Sequence, residues 1–229
     1  GDFMKRSEVN AILKENIGFI KKMNFNLPPF AYWSPEEWET KGHEADEIRD
    51  NMLGWDITDY GKGDFWNYGL VLFTIRNGSV KDPRYKKPYA EKILISDENQ
   101  YNPIHYHWHK MEDIINRGGG NLLIKVWKAA EDDGLSEEDV EVSIDGCIRT
   151  VKAGSVIRLT PGESITLPPY LYHEFWAEEG KGKVLIGEVS MVNDDKNDNR
   201  FYEDQPRFPT IVEDEKPLYY LCFEYPKAK

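Results

Sequence analysis

The stretch His105-Tyr106-His107-Trp108-His109-Lys110-Met111-Glu112 places three imidazoles and a carboxylate within one short segment. Residues 104–109 have the composition of a β-strand. Because strand side chains alternate between two faces, His105, His107 and His109 are predicted to point the same way. Imidazole nitrogens and carboxylate oxygens are common ligands of divalent metals. The stretch therefore predicts a metal centre inside a β structure.

The rest of the chain predicts short helices followed by many strands. Apolar residues recur with helical spacing after Ser7, and Ser34 with the following Pro-Glu-Glu is a typical helix start. Beyond residue 54, eight or more short β-rich runs alternate with turn residues, and Asp145-Gly146 indicates a hairpin. Residues 116–120 are interpreted as a turn, and residues 219–224 as a last strand.

These patterns predict a mainly β fold, a sandwich or barrel, in a single domain over residues 1–229. We expect a helical segment over about 7–53 and a β-barrel over about 55–229. Residues 1–3 precede Met4 and are expected to be non-native additions.

Composition narrows the function further. The net charge of −12 comes without a basic patch, so a nucleic-acid partner is not expected. No apolar run approaches the roughly 18 residues of a membrane span, so no membrane partner is expected. Cys147 and Cys222 are far apart and form no metal-type or redox-type pair. Together these features favour a cytoplasmic protein acting on a small molecule.

Two motifs resemble those of the cupin family. His105, His107, Glu112 and Gly119 match the spacing of the first cupin motif. Gly162, Pro168 and His173 match the second motif, in which Tyr170 stands in place of a glycine and Ala177 in place of an asparagine. The resemblance implies a cupin (double-stranded β-helix or jelly-roll) barrel with N-terminal helices. It also implies that His105, His107, Glu112 and His173 ligate a metal, which leaves His109 beside the site.

Several further segments resemble the D-lyxose isomerase family of cupins. They are residues 107–120, 89–93, 187–190, 192–195 and 198–201. The resemblance implies an aldose–ketose isomerase that interconverts D-lyxose and D-xylulose, and also D-mannose and D-fructose, through a cis-enediolate. The expected ion is Mn²⁺, with Co, Fe, Ni and Zn as alternatives.

Isomerisation requires groups that move protons next to the metal. Lys110 and Lys92 are candidate cations or acids, and Glu188 is a candidate base, since a carboxylate within an apolar strand needs a partner. The resemblance makes Asp198 and Arg200 candidate contacts for sugar hydroxyls, and His109 is a further candidate around the substrate.

Two other functions fit the same metal ligands. An Fe-dependent cupin dioxygenase would consume oxygen with a catechol, flavonol or thiol, although such enzymes usually have a more apolar pocket. A non-catalytic sugar-binding cupin would bind sugar without turnover. A homodimer is also expected, since β-barrel edges invite coverage by a second copy.

Overall fold

The computed structural model describes residues 3–229, and the prediction that residues 1–3 are additions falls mostly outside them. The helices are α1 Arg6–Lys22, α2 Pro35–Trp38 and α3 Asp46–Asp50, with 3-10 turns at Pro29–Tyr32 and His43–Ala45. The strands are β1 Met4–Lys5, β2 Gly54–Thr58, β3 Leu70–Arg76, β4 Tyr89–Ser96, β5 His105–Tyr106, β6 Glu112–Gly119, β7 Leu122–Lys128, β8 Val140–Ile144, β9 Cys147–Val151, β10 Ile157–Leu159, β11 Ser164–Leu167, β12 Leu171–Ala177, β13 Val184–Met191, β14 Arg200–Phe201 and β15 Ile211–Val212. Within residues 3–229 no helix is both long and apolar enough to cross a membrane.

Two antiparallel sheets make up most of the fold. One has the order β10-β7-β12-β5-β14, and the larger has the order β2-β3-β4-β13-β6-β11-β8-β9. A short parallel pair, β1 with β15, ties the start of the chain to Ile211–Val212. The prediction of a mainly β fold with N-terminal helices is confirmed.

The central strands of the larger sheet are buried on both faces. Leu72, Leu94 and Ile186 belong to the apolar core between the two sheets. Their neighbours Phe73 and Ile93 belong to a second core beneath α1. Because α1 covers the outer face of the sheet, these strands have continuous apolar runs instead of alternating polar and apolar residues.

The N-terminal helices differ in detail from the prediction. The long helix begins at Arg6, with Lys5 as its N-cap, while the Ser7 hydroxyl donates a hydrogen bond to Asp214 at 2.6 Å. At α2 the predicted start is confirmed as a capping box between Ser34 and Glu37. This helix nevertheless ends after four residues.

The predicted turn at residues 116–120 was wrong, because β6 continues to Gly119. Gly118 and Gly119 have φ of 141° and 92°, values that suit glycine, so the strand bends without ending. Residues 219–224 form no strand. The Asp145-Gly146 hairpin is confirmed, with φ of 50° and 80° at its two turn residues.

Candidate active site

A polar cavity lies between the two sheets, and three histidines reach it from the smaller sheet. His105 on β5 pairs in register with His173 on β12, which sets their side chains side by side. His107 follows β5 directly. One ring nitrogen from each of these residues can be chosen so that all three lie within 4.8 Å of one another. The cavity is lined by Tyr60, Leu70, Leu72, Lys92, Leu94, Asn102, His105, His107, Lys110, Glu112, His173, Phe175, Glu188, Asp195, Asn199, Phe201 and Arg207.

Backbone contacts fix the orientation of all three rings. The Nδ1 atom of His105 is 2.8 Å from the Pro103 carbonyl oxygen. The Nδ1 atoms of His107 and His173 similarly face carbonyl oxygens at 2.7 Å and 3.0 Å. A carbonyl only accepts hydrogen bonds, so each Nδ1 carries a proton, and Nε2 is the ring atom left to ligate a metal. Metal-ligating histidines are commonly oriented in this way, with one ring N–H bonded to a carbonyl oxygen.

The charge state of His105 agrees with this arrangement. Burial lowers its pKa well below the ordinary value, and the neighbouring rings of His173 and His107 lower it further. The ring is therefore neutral at physiological pH and available as a ligand.

Glu112 brings a carboxylate to the same place from the larger sheet. Its Oε1 lies 3.4 Å from Nε2 of His107 and 3.3 Å from Nε2 of His173. Burial opposes ionisation of Glu112, but Lys110 and His107 outweigh it and keep its pKa well below the usual range. Three imidazole nitrogens and an ionised carboxylate oxygen form a donor set that fits a divalent transition metal.

The predicted catalytic groups lie next to this carboxylate. The Lys110 ammonium is 3.0 Å from Oε2 of Glu112 and 3.3 Å from Oε2 of Glu188. Asn193 accepts a hydrogen bond from it at 2.8 Å. Burial alone would lower the pKa of Lys110, but the carboxylates of Glu112 and Glu188 raise it, so Lys110 remains charged. Lys92 faces Glu188 across β4 and β13 at 3.9 Å.

Charged residues that the sequence did not indicate extend the site. Lys92 is 3.3 Å from Asp195, and Asp195 is 3.1 Å from Arg207. Arg207 is also paired with Asp56 of β2 at 2.7 Å. From Glu112 to Asp56, seven buried or largely buried side chains thus alternate in sign. Asp56 and Arg207 are separated by about 150 residues, and the only sequence signal near them was the resemblance over residues 192–195.

The three predicted substrate contacts, His109, Asp198 and Arg200, are not among the residues that line this cavity. The strand ends at Tyr106, so the alternation does not reach His109, whose side chain is exposed. Arg200 is half-buried on β14, with Nη1 near the Phe201 carbonyl at 3.5 Å. The Asp198 carboxylate is buried against the backbone of residues 108–110. Their contact with a substrate stays a prediction.

This arrangement can do two things chemically. The histidines and Glu112 can hold an ion that polarises oxygen atoms of a ligand. Lys110 and Glu188 lie beside Glu112, where they could serve as an acid and a base.

Solved structures of sugar isomerases share the fold. A mutant L-ribose isomerase of Acinetobacter sp. DL28 in complex with L-ribose superposes with a TM-score of 0.61 at 14% identity, covering 92% of this chain and 98% of its own. The L-ribose isomerase of Cellulomonas parahominis with L-psicose gives 0.58 at 15% identity, covering 93% and 100%. These likenesses confirm the cupin fold.

Sequence relatives extend the comparison to the family. A "D-lyxose/D-mannose isomerase" of Serratia proteamaculans is 52% identical over 223 residues, covering 97% of this chain and 98% of its own. A protein of the same name from Escherichia coli O157:H7 is 50% identical with the same coverage. The D-lyxose isomerase family profile matches residues 4–225. With this match over nearly its whole length, the chain belongs to the D-lyxose isomerase family and is a sugar isomerase.

Proposed function

We propose that this protein is a metal-dependent aldose–ketose isomerase that interconverts D-lyxose and D-xylulose, and also D-mannose and D-fructose, through a cis-enediolate. The names of its two relatives support the aldoses. The observation that carries the proposal is the convergence of three imidazoles and Glu112 beside the buried pair of Lys110 and Glu188.

The metal would be held by His105, His107, His173 and Glu112. Nitrogen and oxygen donors of this kind suit Mn²⁺, the ion we expect, and also Co, Fe, Ni and Zn. When bound, a divalent ion would polarise the sugar oxygens at C1 and C2 and stabilise negative charge that develops there.

Proton transfer falls to the side chains next to this centre. We assign Glu188 as the base that takes the proton from C2 and returns it to C1. Lys110 is kept as an ammonium by its carboxylate neighbours, so it serves as a charge and a proton donor near the sugar oxygens. Lys92, whose ammonium lies 3.9 Å from Glu188, is a second candidate acid beside this base.

The polar lining supports a polyhydroxylated substrate over the substrates of a dioxygenase. Asn102, Asn199, Asp195 and Arg207 offer donors and acceptors in the same cavity. Hydroxyl groups need such partners when they leave water. Contacts of Asp198, Arg200 and His109 with the sugar, the homodimer and the cytoplasmic location remain predictions.

The test is an aldose panel with defined metal content. Protein stripped with EDTA should be inactive, and added Mn²⁺ should restore conversion of D-lyxose and D-mannose to ketoses. In deuterated water a base at Glu188 predicts deuterium in the product, whereas complete retention of the C2 hydrogen would indicate a hydride shift. Glu188→Gln should abolish turnover, while Glu174→Gln, a half-buried carboxylate on β12, should not. Failure of the metal-loaded protein to convert any aldose would contradict the proposal.

A further inference from the structure

The Asp198 carboxylate is hydrogen-bonded to three consecutive backbone amides. Its Oδ1 accepts from the N–H groups of Trp108 at 2.8 Å and His109 at 3.0 Å. Its Oδ2 accepts from the N–H of Lys110 at 3.1 Å. Asp198 is only 6% exposed, so its carboxylate is largely shielded from water. Hydrogen bonds to a charged group under such conditions are stronger than ordinary ones.

The backbone of Asp198 makes a fourth contact with the same turn. Its carbonyl oxygen accepts the Nδ1–H of His107 at 2.7 Å, about ninety residues away along the chain. One residue thus fixes the ring of His107 and the main chain of residues 108–110. These residues lie after the end of β5, where no strand pairing orients them.

His107 and Lys110 depend on this turn for their positions. Nε2 of His107 faces Glu112 at 3.4 Å, and Nζ of Lys110 faces Glu112 and Glu188 at 3.0 Å and 3.3 Å. A shift of the turn would change both sets of distances. Groups that orient metal ligands in this way typically change metal affinity or activity by about 10–100-fold when they are removed.

We propose that Asp198 is a positioning residue that places His107 for metal binding and Lys110 for catalysis by holding the turn between them. It acts through these two residues, because its carboxylate oxygens accept hydrogen bonds from the protein backbone. The inference rests on the proposed function, because it assumes that His107 is a metal ligand.

The experiment compares Mn²⁺ binding by the full-length protein, Asp198→Asn and Asp204→Asn. Asp204 is an exposed carboxylate in the same region, so it controls for the loss of one negative charge. Free Mn²⁺ is measured by its electron paramagnetic resonance signal in the absence of sugar. We expect the Kd for Mn²⁺ to rise at least about tenfold in Asp198→Asn and to stay within about twofold in Asp204→Asn.

Kinetics separate positioning from substrate contact. If Asp198 positions the turn, excess Mn²⁺ should partly restore the kcat of Asp198→Asn, with the KM for the aldose within about threefold of the original. An unchanged Kd for Mn²⁺ would overturn the inference. A raised KM with an unchanged Kd would assign Asp198 to the sugar.

A measurement on the unaltered protein covers the case in which Asp198→Asn does not fold. Amide hydrogen exchange at Trp108, His109 and Lys110 should be slow, since all three amides are bonded to a buried carboxylate. Exchange as fast as in exposed loops would overturn the inference. Protected amides in an unaltered protein that binds no divalent metal would contradict the proposed metal centre but not the hydrogen bonds of Asp198.

Discussion

Replacing Arg207 with Met should test whether the buried charges beside the cavity are balanced as the structure indicates. Arg207 is paired with Asp56 at 2.7 Å and with Asp195 at 3.1 Å, and the exposed fractions of these side chains are 11%, 1% and 16%. Arg207→Met keeps most of the side-chain volume but leaves two neighbouring carboxylates without their shared cation. Removing one partner of a buried ion pair costs about 3–5 kcal/mol.

The assay is urea unfolding of metal-free protein, because a bound metal would add its own stabilisation. With a urea slope near 3 kcal/mol/M, the loss corresponds to a midpoint lower by about 1–1.7 M. Arg158→Met is the matched control, because Arg158 forms an exposed ion pair with Glu178 at 2.7 Å. Exposed pairs contribute little to stability, so the control midpoint should barely move.

The pH dependence of the stability of Arg207→Met provides a sharper test. Burial raises the pKa of Asp56, and Arg207 opposes that rise. The pKa of Asp195 stays well below normal because Arg207 and Lys92 outweigh its burial. Without Arg207 both pKa values move upward. A carboxyl group whose pKa is raised in the folded state destabilises the fold as the pH rises above the pKa it has in the unfolded state. The loss in free energy of unfolding caused by Arg207→Met should therefore grow from pH 5 to pH 8.

A second substitution identifies which charge causes the loss of stability in Arg207→Met. Adding Asp56→Asn to Arg207→Met removes one unpaired charge and should recover about 1–3 kcal/mol at pH 8. A loss no greater than in Arg158→Met, or a loss independent of pH, would refute the idea that Arg207 balances two ionised buried carboxylates.

Three further predictions follow from the geometry. Lys110→Gln should lower kcat about 10²–10⁴-fold at saturating Mn²⁺, measured as initial rates of ketose formation; a change below tenfold would remove Lys110 from catalysis. His173→Ala should weaken Mn²⁺ binding at least about tenfold by calorimetry, whereas His43→Ala, at an exposed histidine, should not; equal affinities would contradict the ligand set. Gly119→Ala should lower the free energy of unfolding in urea by about 2 kcal/mol or more, because φ is 92° and a Cβ would lie 2.2 Å from a backbone oxygen. Gly18→Ala, at a helical position with open space, should be neutral or stabilising. Similar urea midpoints for the two variants would refute the reasoning.

The grouping of the candidate metal ligands could be predicted from sequence because it follows regular spacings. Side-chain alternation predicted that His105 and His107 share one face, and the resemblance to the cupin motifs added Glu112 and His173. The structure brings the three histidines together, with Glu112 beside two of them. The same alternation failed for His109, since the strand ends at Tyr106 and the chain turns. The residue that holds this turn, Asp198, is about ninety positions away, and a local pattern carries no information about such a contact.

The charged half of the site was harder to predict for a different physical reason. Strands β4 and β13 are covered by α1 on one face and by the second sheet on the other, so apolar residues occupy both faces. Glu188 therefore shows no clear alternation with its neighbours, and its inward direction is visible only from its register opposite Lys92.

The same burial explains why these charges must be arranged as they are. An isolated carboxylate or ammonium between the two sheets would neutralise or destabilise the fold. Each of the five central members of the series from Glu112 to Asp56 has opposite charges on both sides, at 2.7–3.9 Å. At one end of the series Glu112 faces the histidines, where a cation would complete its surroundings; at the other end, one carboxylate oxygen of Asp56 has no hydrogen-bond partner among residues 3–229. The series carries four carboxylates and three cations, so the proposed metal at the Glu112 end would add positive charge to it and would couple metal binding to the stability of the charged core.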